Sequence, residues 1–218
     1  MERTLPALRP LPRLSIGLAV AIGIGVGFGI YQLQVTGFDG DAYWNAALRL
    51  REGLPLYYVG TPTDPLVFRY PIWFAWLWMP LTYLPHAVVM TFWRVAMVAA
   101  ALALVPMVRR PWLLWLFVPS LLAQGWMGNV QPLIILLACL GPLGIGVAGG
   151  IKALPLALTA LYGWRQDWRS VAMIVGVAGL LWAPALLTGM AGYPPARPPW
   201  PTDLALLLAV PRLYRTGT

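Results

Sequence analysis

Residues 15–35 read SIGLAVAIGIGVGFGIYQLQV, a stretch without a single Asp, Glu, Lys or Arg. About 20 mainly apolar residues suffice to cross roughly 30 Å of hydrocarbon as a helix. Backbone polar groups in lipid must be satisfied within the segment, which a helix does and an open strand does not. The same absence of charge holds for residues 70–93, 95–108, 111–151, 153–164 and 170–196. None of these runs alternates apolar and polar residues as a membrane barrel strand would. The sequence therefore predicts an all-α membrane protein, a single multi-pass domain over residues 1–218 with six or so membrane helices.

Composition agrees. Hydrophobic residues make up 60% of the chain, charged residues 10%, and the mean hydropathy is +0.72. A soluble domain carries about 25% charged residues, too many more for this chain to build an ordinary water-facing surface. The net charge of +8 comes almost wholly from Arg. These arginines flank apolar runs, as the anchors of cytoplasmic loops do. The aromatics lie inside the runs and not between basic residues, so nucleic acid is not indicated as a partner; membrane lipids are. Arg3, Arg9 and Arg13 place the N-terminal residues 1–14 in the cytoplasm. The apolar core that follows is longer than that of a signal peptide and lacks an A-x-A site, so it reads as a retained first span. The low Lys and high Ala, Gly, Pro and Arg content suits a GC-rich bacterium, and the expected location is its plasma membrane. Arg109 and Arg110 do not fit one inside–outside assignment with the other basic clusters, so the number of crossings before them stays open. Cys139 has no second cysteine to pair with and reads as a buried thiol.

The first span carries Gly17, Gly23, Gly25, Gly27 and Gly29, which would let a second helix approach closely. An external loop of residues 36–69 follows. In it Tyr43, Ala46, Ala47, Leu50 and Leu54 recur at helical spacing, with Asn45, Arg49 and Glu52 turned away. This predicts an amphipathic helix along the membrane surface, ended by Gly53 and Pro55. Two apolar helices hinge at Leu84-Pro85, and Trp73, Trp76, Trp78 and Tyr83 suit an interfacial belt. Residues 124–131 form a polar break, 165–169 a basic connector and 190–203 a Pro-rich linker.

Few residues can carry chemistry. Asp39 and Asp41 lie just beyond the first span, where a carboxylate could act on a substrate half in lipid and half in water. They could equally cap the helix near Tyr43. Lys152 is the only lysine, set in a long apolar run after Gly144, Gly146, Gly149 and Gly150 and before Pro155. An ionisable residue there is costly and either serves a site or snorkels to the interface. A lysine on a broken helix could hold a phosphate as a point charge. Asn129 and Gln131 interrupt another apolar run and must find partners, on a neighbouring helix or in a site. His86 has no second His or Cys nearby, so no metal site is indicated.

Taken in order, these pieces resemble a known family. The run Asp39-Gly-Asp-Ala-Tyr43-Trp-Asn-Ala46-Ala, followed by Leu50-Arg-Glu-Gly53-Leu-Pro-Leu-Tyr57, resembles the first external loop of glycosyltransferase family 87 in the GT-C superfamily. Phe68-Arg69-Tyr70-Pro71, the hinge Pro80-Leu81-Thr-Tyr-Leu84-Pro85, the turn Gly128-Asn129-Val-Gln131 and the segment Gly149-Gly-Ile-Lys152-Ala-Leu-Pro155 follow in the family's order. The likeness covers about residues 38–169. Asn129 and Gln131 are rearranged relative to the family's turn, and the chain is shorter than most members.

The resemblance implies a GT-C-like helical bundle that moves a hexose, mannose in related enzymes, from a polyprenyl phosphate to a glycan or glycolipid acceptor. Asp39 would be the general base, with Asp41 in reserve. Tyr43, Arg69, Tyr70, Asn129, Gln131 and Lys152 would bind substrate, and no cofactor beyond the lipid-linked donor is implied. The alternative is a non-catalytic membrane protein, a lipid-carrier transporter or an assembly subunit.

Overall fold

The computed structural model describes residues 16–35, 39–57, 67–108, 111–188, 203, 205 and 206. Regular structure in them is helical throughout, with no strand among the described residues. In chain order the helices are α1 (Ile16–Val35), α2 (Asp39–Arg51), α3 (Ile72–Trp78), α4 (His86–Ala103), α5 (Pro111–Trp126), α6 (Gln131–Ala138), α7 (Pro142–Ile151), α8 (Thr159–Trp164) and α9 (Trp168–Thr188). Tight 3-10 turns follow α3, α4 and α7. Residues 1–14, Arg109, Arg110 and the Pro-rich linker, apart from Asp203, lie outside the described residues.

Two helical stretches, His86–Met107 and Trp168–Thr188, are long and apolar enough to cross a membrane. The sequence had pointed to six or so. Much of the remaining apolar sequence is divided by local backbone chemistry into shorter pieces, Trp112–Trp126, Pro142–Ile151 and Leu154–Trp164 among them. Gly128 and Gly141 have positive φ, +77° and +95°, which glycine adopts at no steric cost; the first closes α5 and the second precedes α7 as its N-cap. Pro132 and Pro142 then start α6 and α7, where a missing N–H is tolerated. Lys152 leaves the helix altogether, in an extended conformation.

The main helix pairs are α1 on α5, α7 on α9 and α4 on α5. Glycine makes two of these possible. Gly25 and Gly29, four residues apart, face the α5 backbone at Trp115 and Pro119, while Gly17, Gly23 and Gly27 meet nothing within 4 Å. Only one stripe of the glycine-rich helix is thus a contact surface. Near it Ser120 donates a buried hydrogen bond of 3.0 Å to Gln32 Oε1. On α7, a side chain at Gly146 would run into Val177, and one at Gly150 into Leu181, both on α9. Away from these contacts the bundle presents apolar groups outward. Leu180, Leu186 and Leu187 of α9 and Val20, Ile24 and Ile30 of α1 are exposed, Leu187 at 86%.

The loop helix differs from the sequence expectation in two ways. It begins at Asp39 and not near Tyr43, so Asp39 and Asp41 occupy its first turn. Carboxylates there complement the positive end of the helix dipole. Its apolar face is also packed into the protein. Ala42, Tyr43, Trp44, Ala46 and Ala47 are buried, because the three alanines let α2 seat against its neighbours. Its end is as expected: Gly53, at φ +71°, bonds back to Leu50, and Leu54 to Arg49. The aromatic belt needs correction as well. Trp76 and Tyr83 are exposed, but Trp78 is buried at 1%, its ring 5.4 Å from Tyr43 and 4.8 Å from Trp93.

Asp167 precedes α9 and caps it. Its Oδ1 accepts the Ser170 N–H at 3.1 Å and its Oδ2 the Ser170 hydroxyl at 2.6 Å. These bonds to the ionised form hold its pKa below the usual aspartate value, with smaller help from Arg169 and Arg165. The folded-state pKa is depressed, so the capping contribution is complete above the unfolded-state value of about 4 and fades as pH falls through the lowered one. Asp167→Ala should lower the melting temperature at neutral pH, and the difference from wild type should close in acid below about pH 4. A difference that persisted unchanged at pH 2 would show that the carboxylate charge is not what stabilises this end.

Candidate functional site

The site forms where α5 ends. The N–H of Gly128 bonds to the Gly125 carbonyl at 3.0 Å and that of Asn129 to Gln124 at 2.9 Å, the paired bonds that close a helix on a left-handed glycine. Two residues later α6 begins at Gln131. Asn129 is therefore held in a two-residue turn, and its side chain works in both directions. Oδ1 accepts the Gln131 N–H at 2.7 Å, a local turn of the kind Asn side chains make. Nδ2 donates to Asp39 Oδ2 at 2.9 Å, across 90 residues of sequence.

Asp39 and Asn129 can meet because glycine faces glycine beside them. A Cβ on Gly128 would stand 3.3 Å from the Gly40 Cα and 3.2 Å from the Trp93 ring. Trp93 fixes the same turn by donating its indole N–H to the Gly128 carbonyl at 2.6 Å. The ring of Trp93 also lines an apolar groove of about 340 Å³ with Trp78, Leu84, Val88 and Phe92.

Lys152 enters from the other side. Its backbone N–H still bonds to Ala148 at 2.9 Å, but the helix stops at Ile151. A helix end leaves carbonyls without intrahelical partners. Here Gly149 and Gly150 are satisfied by tryptophans, Trp182 donating to the first at 2.9 Å and Trp73 to the second at 3.1 Å. Two indoles thus pin the last turn of α7, and with it Lys152. The Nζ donates to Gln131 Oε1 at 3.3 Å and to Asp203 Oδ1 at 2.6 Å. Its side chain is 37% exposed, whereas that of Asp203 is 4% exposed.

A continuous polar path results, from Asp39 through Asn129 and Gln131 to Lys152 and Asp203. Four of the residues singled out from the sequence fall on it. Asp203 was missed, since by sequence it closes a Pro-rich linker. Its one signal was a carboxylate directly before the apolar run 204–210, a costly position unless paired.

The other nominated residues are placed differently. Asp41 does not share a site with Asp39. Two residues apart on a helix point about 200° from one another, and Asp41 instead meets His86 Nε2 at 3.0 Å. The His86 ring lies edge-on to Trp44 at 5.0 Å. Tyr43 is 1% exposed, and its hydroxyl already has partners. Its hydroxyl donates to the Tyr70 hydroxyl at 3.1 Å and accepts the Val130 N–H at 3.3 Å. Burial first, then the neighbouring Tyr70 and Asp39, push its pKa well above the usual phenol value, so it is a neutral strut under the Asn129 turn. Tyr70 is half-buried, and its carbonyl accepts the Tyr57 hydroxyl at 2.9 Å. Arg69 stands next to it, also half-buried. Among the described residues no group of three or more His, Cys, Asp or Glu side chains is arranged to hold a metal ion.

No family model, curated protein or solved structure matches this chain.

Proposed function

We propose that this chain is a multi-pass membrane glycosyltransferase that takes a hexose, mannose in the first instance, from a polyprenyl phosphate and passes it to a glycan or glycolipid acceptor. The observation that carries the reading is a carboxylate and an ammonium at two ends of one hydrogen-bonded turn, Asp39 Oδ2 to Asn129 and Gln131 to Lys152. The ordered likeness to glycosyltransferase family 87 over residues 38–169 supports it. The apolar side chains exposed on α1 and α9 support the membrane setting, because soluble proteins rarely show contiguous apolar patches beyond a few hundred Å².

In this mechanism the acceptor hydroxyl gives its proton to Asp39 as its oxygen attacks the anomeric carbon. The bond from that carbon to the phosphate oxygen breaks, and its electron pair leaves with the phosphate. Lys152 and Arg69 meet the charge that develops there. Asn129 keeps the Asp39 carboxylate oriented. The apolar groove beside Trp93 suits the isoprenoid chain, since its walls offer almost no polar atom.

The test is incubation of the full chain in nanodiscs with radiolabelled polyprenyl-phosphate mannose and a mixed glycolipid acceptor pool. Label should move from the donor to an acceptor. Label carried across the bilayer without a new glycosidic bond would replace the enzyme with a lipid-carrier transporter. No change in the label with either readout would leave neither reading standing.

A further inference from the structure

Resting on the glycosyl-transfer reading, we infer that Lys152, Gln131 and Asp203 form an anion site in which Asp203 sets the charge of the phosphate it retains. Three observations converge. An ammonium has three N–H donors, and Lys152 directs two of them at Gln131 and Asp203. The third remains for a ligand on the exposed side of the residue. Gln131 is 2% exposed, and its Nε2 has no acceptor among the described residues. A buried amide donor without a partner costs free energy comparable to a lost hydrogen bond, which an incoming phosphate oxygen would recover. Asp203, almost wholly buried, is fixed to the same ammonium.

The reaction changes the charge of what this site holds. The donor is a phosphodiester with one negative charge. When the sugar leaves, the prenyl phosphate becomes a monoester with close to two at neutral pH, while the acceptor proton goes to Asp39. Lys152 alone would bind that product more tightly than the donor. Asp203 offsets part of that pull, because a carboxylate bonded to the ammonium also repels the added charge, though from further away than the ammonium attracts it. The pair therefore still meets the charge that develops on the leaving phosphate but holds the spent lipid less tightly than Lys152 alone would, making Asp203 a specificity-determining residue.

The test compares two probes on the full chain in nanodiscs at about pH 8, where the monoester is a dianion. One is a prenyl phosphate monoester, the other its methyl phosphodiester, and dissociation constants are read for both. Wild type should prefer the monoester by clearly less than tenfold. Asp203→Asn should shift the ratio about tenfold toward the monoester, and Lys152→Met should weaken both. The wild-type ratio is itself a test that needs no variant to fold. A tenfold wild-type preference for the monoester, or an unchanged ratio in Asp203→Asn, overturns the role of Asp203 while leaving glycosyl transfer intact. Failure of both probes to bind wild type overturns the two readings together.

Discussion

Asp39→Asn should reduce the turnover number for sugar transfer by about 100-fold to 10,000-fold, the range that a positioned general base contributes. Donor binding should survive. The substitution removes the proposed proton acceptor and leaves Lys152 and Gln131 untouched. An amide oxygen at position 39 can still accept from Asn129 Nδ2, so the turn that joins α2 to α5 keeps its bond. The kinetic signature is a fall in kcat with KM for the donor little changed, which marks a group that acts in the transition state and not in ground-state binding. Asp41→Asn provides the contrast. Asp41 serves His86 on a different side of α2, so its loss should leave turnover within about threefold of wild type, the scale of a rim charge and well short of a base. Wild-type turnover from Asp39→Asn, or equal losses from the two variants, would remove Asp39 from the base role. Helical content measured in parallel guards against a folding defect passing as lost chemistry.

Much of the secondary structure could be read from the sequence because it is set locally. The breaks at Gly128, Gly141 and Lys152 follow from glycine, proline and charge within a few residues of each. The apolar spacing from Tyr43 to Leu54 gave the loop helix and its end at Gly53. Its seat in the core was not readable, since a face of alanines and aromatics fits a membrane surface and a protein interior equally well. Trp78 shows the same ambiguity: a tryptophan in an apolar run belongs to an interfacial belt or to a core, and only its neighbours Tyr43 and Trp93 decide. The site divides in a similar way. Asp39, Asn129, Gln131 and Lys152 stood out because polar groups in apolar surroundings need partners. Their partnership depended on Gly40 meeting Gly128 and on two indoles fixing α7, which are facts of packing. Asp203, separated from Lys152 by 51 residues, had no local pattern to reveal it.

Gly25→Leu should separate α1 from α5 and destabilise the bundle by about 1–3 kcal/mol or more, the cost of overpacking a well-filled contact. The upper end is expected, because a Cβ at Gly25 would fall on the backbone carbonyl of Trp115, with the Leu116 carbonyl oxygen 2.9 Å away. A flexible side chain could swing aside, but a helix backbone can only move as a body. Displacing α1 would also strain the buried Gln32–Ser120 hydrogen bond two turns further on. Gly27→Leu is the matched control. Position 27 meets nothing within 4 Å, and leucine is favoured over glycine inside a helix by roughly 0.5–1 kcal/mol. The same chemical change two residues along should therefore be neutral or stabilising. Opposite signs are the discriminating result, since a general effect of added bulk or hydropathy would move both variants the same way. Thermal unfolding of the two proteins in one detergent, with hydrogen exchange at Gln32 as the local probe, makes the comparison. Equal stability of Gly25→Leu and Gly27→Leu would mean that α1 does not rest on α5 through this stripe.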